Sequence, residues 1–218
     1  VQGHNLLQVM ARCARRGQPF PFDVALFITS RMLSALQYAH DQEQIHGDVS
    51  PTNVMVTAEG KVQMVDFGIR IASTRLRGPA GLNRGLGRRF ASYISPEQAS
   101  GEPPTPQADV FVAGILLYEL LTGRVLFSGV DEAKIVKTLA EGTYRVPVDV
   151  HRPDLHPGLV HLVRRALAPS ADDRFPDARA FFDAIQELVL RMGLSLSRTF
   201  VKSLMQQLFP DLRSNYPA

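Results

Sequence analysis

The spacing of apolar residues along the chain predicts a mainly helical protein. Between Phe22 and His40 they recur every three or four positions, which is typical of a long helix with one buried face. Residues 107–121 are apolar nearly all round, so we expect a buried central helix with Thr105 as its N-cap and Pro106 in its first turn. Further amphipathic helices are predicted over residues 5–16, 131–140, 158–167, 177–190 and 196–209.

Strand character is confined to two short segments. Residues 53–57 and 61–65 are rich in valine, and the intervening Ala58-Glu59-Gly60 predicts a tight hairpin. We therefore expect a mainly α fold, α+β overall, with one small β-hairpin.

Polar residues flank this hairpin at its open end. Asp48 precedes the first strand, Asn53 begins it, and Asp66 follows the second. This set suits phosphoryl transfer from a magnesium nucleotide, because one Asp can accept or orient the attacking hydroxyl while the Asn and the other Asp hold metal. Asp and Asn are also common turn residues, but the neighbouring motif residues disfavour that simpler interpretation.

Composition and cysteine content indicate an ordinary globular protein. The chain has 218 residues, of which 45% are hydrophobic and 21% charged. Cys13 is the only cysteine, which excludes an internal disulfide and favours a reducing, cytoplasmic location. No apolar run approaches the roughly 20 residues that cross a bilayer, so we expect no membrane segment.

The positive charge is concentrated in one segment. Six arginines and no acidic residue lie between Phe67 and Pro96, in a chain with net charge +3. Phe90 and Tyr93 are the only aromatic residues among them, and we therefore expect no nucleic-acid partner. Residues 69–90 are rich in glycine and predict a long, flexible loop, which is either solvated or contacts phosphate or an acidic partner.

Five motifs in order resemble the large C-terminal lobe of a eukaryotic-like bacterial Ser/Thr protein kinase. Their wording is similar to that of myxobacterial members in particular. The motifs are His46-x-Asp48 with Asn53, Asp66-Phe67-Gly68, Ser95-Pro96-Glu97, Asp109 with Gly114, and Asp173-Arg174-Phe175. The resemblance implies a protein-kinase-like C-lobe over residues 1–192 and a helical extension or linker over residues 193–218.

The resemblance also implies roles for residues of the catalytic site. Asp48 would be the catalytic base, Asn53 and Asp66 would hold Mg²⁺ or Mn²⁺, and ATP would be the phosphoryl donor. Met55 would form the floor beneath adenine, together with Leu116 and Leu120 of the buried helix.

Other motif residues would support the site by the same resemblance. His46 would stack on Phe67 in the regulatory spine, beside Gly68. Asp109 would hold the backbone of the catalytic loop. Glu97 and Arg174 would form a structural ion pair.

Three residues depart from the family pattern. Gly47 stands where the family usually has Arg, so phosphorylation of the loop need not switch the protein on. Ser50, at a catalytic position, stands where Lys usually supports the moving phosphoryl, and losing such a group typically costs roughly 10²–10³ in rate. Phe90 lies where a hydroxyl residue usually touches the catalytic Asp.

The first half of the family pattern is not found before His46. A Gly-rich loop, the strand Lys that holds phosphates and its partner Glu are not seen in those residues. We therefore expect the N-lobe to be absent from this chain and to lie in a parent protein, which leaves this chain alone inactive.

Three functions remain open at this point. The leading one is a protein Ser/Thr kinase acting on a protein substrate. The second is a pseudokinase that serves as a binding lobe, which Gly47 and Ser50 favour and the intact Asp48, Asn53 and Asp66 oppose. The third is an aminoglycoside-type phosphotransferase, whose His-Gly-Asp-x-x-x-x-Asn wording matches, although the motifs at residues 95–97, 109 and 174 do not belong to it.

Overall fold

In the computed structural model, residues 3–17, 20–68, 90–127 and 131–210 are described. They form a three-stranded sheet and nine α-helices, with short 3-10 turns at Phe90–Tyr93 and Ala171–Asp173. The elements are β1 (His4–Asn5), α1 (Leu6–Arg15), α2 (Phe22–His40), β2 (Val54–Val56), β3 (Val62–Met64), α3 (Pro96–Ala99), α4 (Pro106–Thr122), α5 (Glu132–Ala140), α6 (Val148–His151), α7 (Pro157–Ala166), α8 (Ala178–Arg191) and α9 (Arg198–Leu208). The predicted loop over 69–90 lies outside the described residues, except that residue 90 begins the first 3-10 turn.

Helix α4 is the centre of the core. Every residue from Ala108 to Leu121 is buried, and α2, α7 and α8 all pack against it. The predicted local signals are present, since the Thr105 side chain accepts a hydrogen bond from the Ala108 amide and Gly123 ends the helix with φ of +67°. The predicted central helix is therefore confirmed.

The small sheet contains one strand more than predicted. The hairpin of β2 and β3 is confirmed, with Val54 opposite Met64, but β1 adds a third antiparallel strand on the other side of β2. Its two residues, His4 and Asn5, lie opposite Val56 and Met55. A two-residue strand carries no periodicity, so it is defined by its pairing with β2 and could not be read from the sequence.

Helix α9 packs onto two of the N-terminal helices. It contacts α1 and α2 and buries Val201, Leu204, Met205 and Leu208. Helix α9 lies in the segment predicted as a helical extension or linker, and the division of the chain at residue 192 stays a prediction. Within the described part of the chain, none of the helices has the length and apolar character needed to cross a membrane.

Helices α4 and α7 approach closely at Gly114. A Cβ atom added at Gly114 would lie 2.8 Å from the Cβ of Ala166 and 3.3 Å from two side-chain carbons of Leu167. Because both helices are fixed in the core, a side chain there would force them apart.

We predict that Gly114→Ala lowers the free energy of unfolding by about 1–3 kcal/mol through overpacking. Denaturant titration would measure it. The partner variant Ala166→Gly removes the other methyl group, so the double variant should lose less stability than the two single variants summed. A double variant that is merely additive would contradict the close contact between α4 and α7.

Candidate active site

The segment between α2 and β2, the catalytic loop at residues 46–53, is anchored by a buried carboxylate. Asp109 of α4 is 2% exposed. Its two oxygens accept hydrogen bonds from the backbone amides of His46 and Gly47, each at 2.9 Å. The Nε2 atom of His40, at the end of α2, also lies 2.8 Å from Asp109. The predicted hold of Asp109 on the loop backbone is therefore present.

His46 is neutral and has a defined tautomer. Its Nε2 donates to the Val65 carbonyl at 3.1 Å, and its Nδ1 accepts from the Asp48 amide at 3.3 Å. Burial lowers the pKa of His46 below the usual 6.5, although the carboxylates of Asp109 and Asp48 oppose that shift. The ring lies 4.4 Å from that of Phe67, tilted by 45°, so the predicted ring contact is present.

Asp48 and Asn53 are joined across the loop. The Asn53 amide nitrogen donates to the Asp48 backbone carbonyl at 2.9 Å and to its carboxylate at 3.2 Å. Because the amide nitrogen of Asn53 points toward Asp48, its amide oxygen points away from Asp48. The Thr52 hydroxyl donates a long hydrogen bond of 3.5 Å to this oxygen. Asn53 therefore presents an oxygen, the atom type that Mg²⁺ prefers.

Asp66 is held near Asn53 and His46 by the backbone on either side of it. The Val65 amide donates to the Asn53 carbonyl at 3.0 Å, and the Gly68 amide donates to the His46 carbonyl at 3.3 Å. Asp66 itself is exposed and has φ of +64°, a conformation that costs energy for a residue with a side chain. This local strain at an exposed carboxylate fits a ligand-binding position.

Gly47 and Ser50, the two catalytic-loop residues that depart from the family pattern, lie in defined surroundings. Gly47 has φ of +68°, so an L-residue such as Arg would be strained in this backbone conformation. The Ser50 hydroxyl lies 2.8 Å from that of Thr52, and neither supplies positive charge. The predicted absence of a Lys-like group at residue 50 therefore has no compensation from its immediate neighbour.

Met55 faces away from the core. Its neighbours on β2, Val54 and Val56, are fully buried, while Met55 is half-buried on the opposite face of the strand. Leu116 and Leu120 are buried within α4. Met55 is thus partly exposed on the face of β2 opposite Val54 and Val56, and its role beneath adenine stays a prediction.

Arg174 forms the second buried anchor. Its guanidinium binds Glu97 through two hydrogen bonds of 2.9 Å each, and it also donates to the carbonyls of Ala168 and Pro169. The Arg174 side chain is 0% exposed and that of Glu97 12%. The predicted ion pair is present, and it ties α3 to the segment before α8.

The chain matches the family described as protein kinase domain over residues 1–185. The chain belongs to the protein kinase family. The kinase resemblance drawn from five motifs is therefore confirmed at the level of the family. Members of this family use ATP and a divalent metal.

Bacterial kinases cover most of this chain. Tyrosine-protein kinase MasK of Myxococcus xanthus is 31% identical over 194 residues, which are 85% of this chain and 29% of the relative. Serine/threonine-protein kinase PksC of Streptomyces coelicolor is 35% identical over 183 residues, 84% of this chain and 33% of the relative. The chain thus spans about a third of the length of these curated relatives.

A solved kinase structure shares the fold. The crystal structure of the Mycobacterium tuberculosis PknI kinase domain has a TM-score of 0.63 and 27% sequence identity. The similarity covers 86% of this chain and 63% of that chain.

Two polar contacts among the described residues were not predicted from the sequence. His40 shares the Asp109 carboxylate, and the Tyr93 hydroxyl donates to Glu119 at 2.9 Å. A signal existed for Glu119, because it is the only acid within the apolar run of α4 after Asp109, and a buried acid requires a partner. His40 offered no such signal, since it ends a helix whose last turns are partly exposed.

We predict that Arg174→Ala lowers the free energy of unfolding by about 3–5 kcal/mol, because the partly buried Glu97 would lose its partner. The control is Arg179→Ala, which breaks a surface pair with Asp183 whose side chains are 68% and 56% exposed. This variant should lose about 0.5 kcal/mol or less. Similar losses for both variants in denaturant titrations would contradict the buried anchor.

We also predict that His46 makes the folded protein less stable as the pH is lowered. The unfolded chain takes up a proton on His46 below about pH 6.5, whereas the folded protein, with its lowered pKa, does not until lower pH. Unfolding free energy should therefore decrease from pH 7.5 to 5.5, by at most about 1.4 kcal/mol per pH unit. His46→Gln should flatten this decrease relative to the wild type. Equal slopes in the two proteins would contradict it.

Proposed function

We propose that this chain forms the catalytic lobe of a protein serine/threonine kinase, which transfers the γ-phosphoryl group of ATP to a hydroxyl of a protein substrate. The observation that carries the proposal is the hydrogen bonding of Asn53 to Asp48 within a loop anchored on Asp109. This arrangement holds in place, before substrate binds, a carboxylate that can orient the attacking hydroxyl and an amide oxygen that can bind metal.

In this proposal Asp48 accepts the proton of the attacking hydroxyl or orients it. Asn53 donates a hydrogen bond to the Asp48 carboxylate, and the Asp48 amide donates one to His46. Together these bonds hold the Asp48 carboxylate in place before substrate arrives. Asn53, through its amide oxygen, and Asp66, through its carboxylate, hold a divalent metal, Mg²⁺ or Mn²⁺. A bound metal neutralises charge on the phosphate oxygens of ATP.

Nucleotide binding needs surfaces on both sides of the adenine ring. Met55, on the open face of β2, provides one of them in this proposal. An open groove of about 420 Å³ beside the site is lined in part by Tyr38, Val62 and Phe67. Tyr38 is 73% exposed there, and we propose that an N-lobe in the parent protein covers this groove and completes the site.

Two alternatives receive less support. A small-molecule phosphotransferase is not favoured by the family match or by relatives named as protein kinases. The second alternative is a pseudokinase. Ser50 and Gly47 favour it, because each stands where the family usually has a positively charged residue. The intact and connected Asp48 and Asn53 favour catalysis.

The deciding experiment is autophosphorylation of the complete gene product with Mg-ATP, followed by intact mass. We predict phosphoryl groups on the wild type and at least about 100-fold slower incorporation for Asp48→Asn, since general-base catalysis contributes about 10²–10⁴. Asp183→Asn, an exposed change on α8, should behave as wild type. A folded wild type without added mass would establish the pseudokinase.

The acceptor residue is decided by analysing the phosphorylated amino acids of the same sample. Serine and threonine are expected. One relative is named a tyrosine kinase, so phosphotyrosine alone would retain the kinase and overturn the acceptor class.

A further inference from the structure

The end of helix α9 is fastened to the first described residues of the chain. The ring of Phe209, which follows α9, stacks on His4 of β1 with centroids 3.8 Å apart and planes 15° apart. Arg12 of α1 donates from Nε to the Leu208 carbonyl at 3.1 Å, and its guanidinium lies 5.5 Å from the centre of the Phe209 ring. Three contacts thus join the C-terminal segment to β1 and α1.

The beginning of α9 lies against the turn between β2 and β3. A Cβ atom added at Gly60 would be 2.5 Å from the Arg198 carbonyl oxygen and 2.7 Å from the Lys202 nitrogen. Only a residue without a side chain permits this approach, and Gly60 also has φ of +76°. Helix α9 therefore touches the small sheet at both sides, at β1 and at the hairpin turn.

These contacts converge on the strand that carries Met55. β1 is held to β2 by a two-residue pairing in which Asn5 lies opposite Met55. So short a strand has little stability of its own, and it depends on what packs around it. The match to the kinase family ends at residue 185, so α9 and Phe209 lie outside the matched residues.

We propose that α9 and Phe209 form a brace that holds β1 and the first turn of α1 against β2, and that Phe209 is thereby a positioning residue for the nucleotide side of the site. The effect on nucleotide rests on the proposed kinase function, while the effect on β1 does not. The brace covers the sheet at Gly60 and at His4, so loosening either contact should release the same strand.

The first test is hydrogen–deuterium exchange of the complete gene product. Phe209→Ala should speed exchange of the amides of residues 4–9 by about threefold to tenfold, the range that corresponds to one aromatic pair. Amides of α4 should not change. Phe200→Ala is the matched control, because Phe200 lies on the same helix but is 43% exposed, and it should leave residues 4–9 as in the wild type. Unchanged exchange in Phe209→Ala overturns the brace whether or not the protein is active.

A second pair of variants tests the hairpin side of the brace. Gly60→Ala and Gly101→Ala both place a side chain at positive φ, +76° and +87°, but Gly101 has nothing within 4 Å of the added Cβ. The two variants therefore carry similar backbone strain. Faster exchange of residues 4–9 is expected in Gly60→Ala alone, and equal exchange in the two variants overturns the role of α9 at the turn.

Steady-state kinetics test the link to nucleotide. Phe209→Ala should raise the KM for ATP about threefold to tenfold and change kcat less than twofold, since the brace positions β2 and does not touch the reacting atoms. Faster exchange with an unchanged KM would overturn the nucleotide role alone. A wild type without turnover would instead contradict the proposed function, and the exchange experiment would still decide the brace.

Discussion

The candidate site depends on the hydrogen bonds that the Asp109 carboxylate accepts from the catalytic loop. A carboxyl group buried to this extent is tolerated only when hydrogen-bond partners surround it. Its donors are the amides of His46 and Gly47, with His40 beside them. Because Asp109 belongs to the buried helix α4, it fixes the catalytic loop to the core. The placement of Asp48 and Asn53 follows from this anchor.

A second buried polar anchor lies around Arg174. Arg174 joins Glu97 and several backbone carbonyls, and its guanidinium also lies 4.7 Å from the ring centre of Phe111 in α4. Both anchors therefore meet the same central helix. Their arrangement lets α4 position the catalytic loop and α3 together.

The unusual residues of the catalytic loop are compatible with this scaffold. Gly47 adopts a backbone conformation that favours glycine, so its presence is a backbone adaptation as well as the loss of a charged side chain. Ser50 leaves the loop geometry intact, because Asn53 bonds to Asp48 and the Asp48 amide bonds to His46. The loop thus keeps its order while it carries less positive charge.

The sequence by itself determined the long helices, the hairpin and the set of polar motif residues. Sustained periodicity and local caps such as Thr105 specify a helix without reference to the rest of the chain. Only the tertiary structure decided the strand β1, the sharing of Asp109 by His40, and the contacts of α9 with His4 and Gly60. These features join residues far apart in the chain and need no local pattern of their own. A two-residue strand or a single stacked ring is stable only because its partners are already held in place. Those partners are distant in the chain, so the local sequence does not predict the contact.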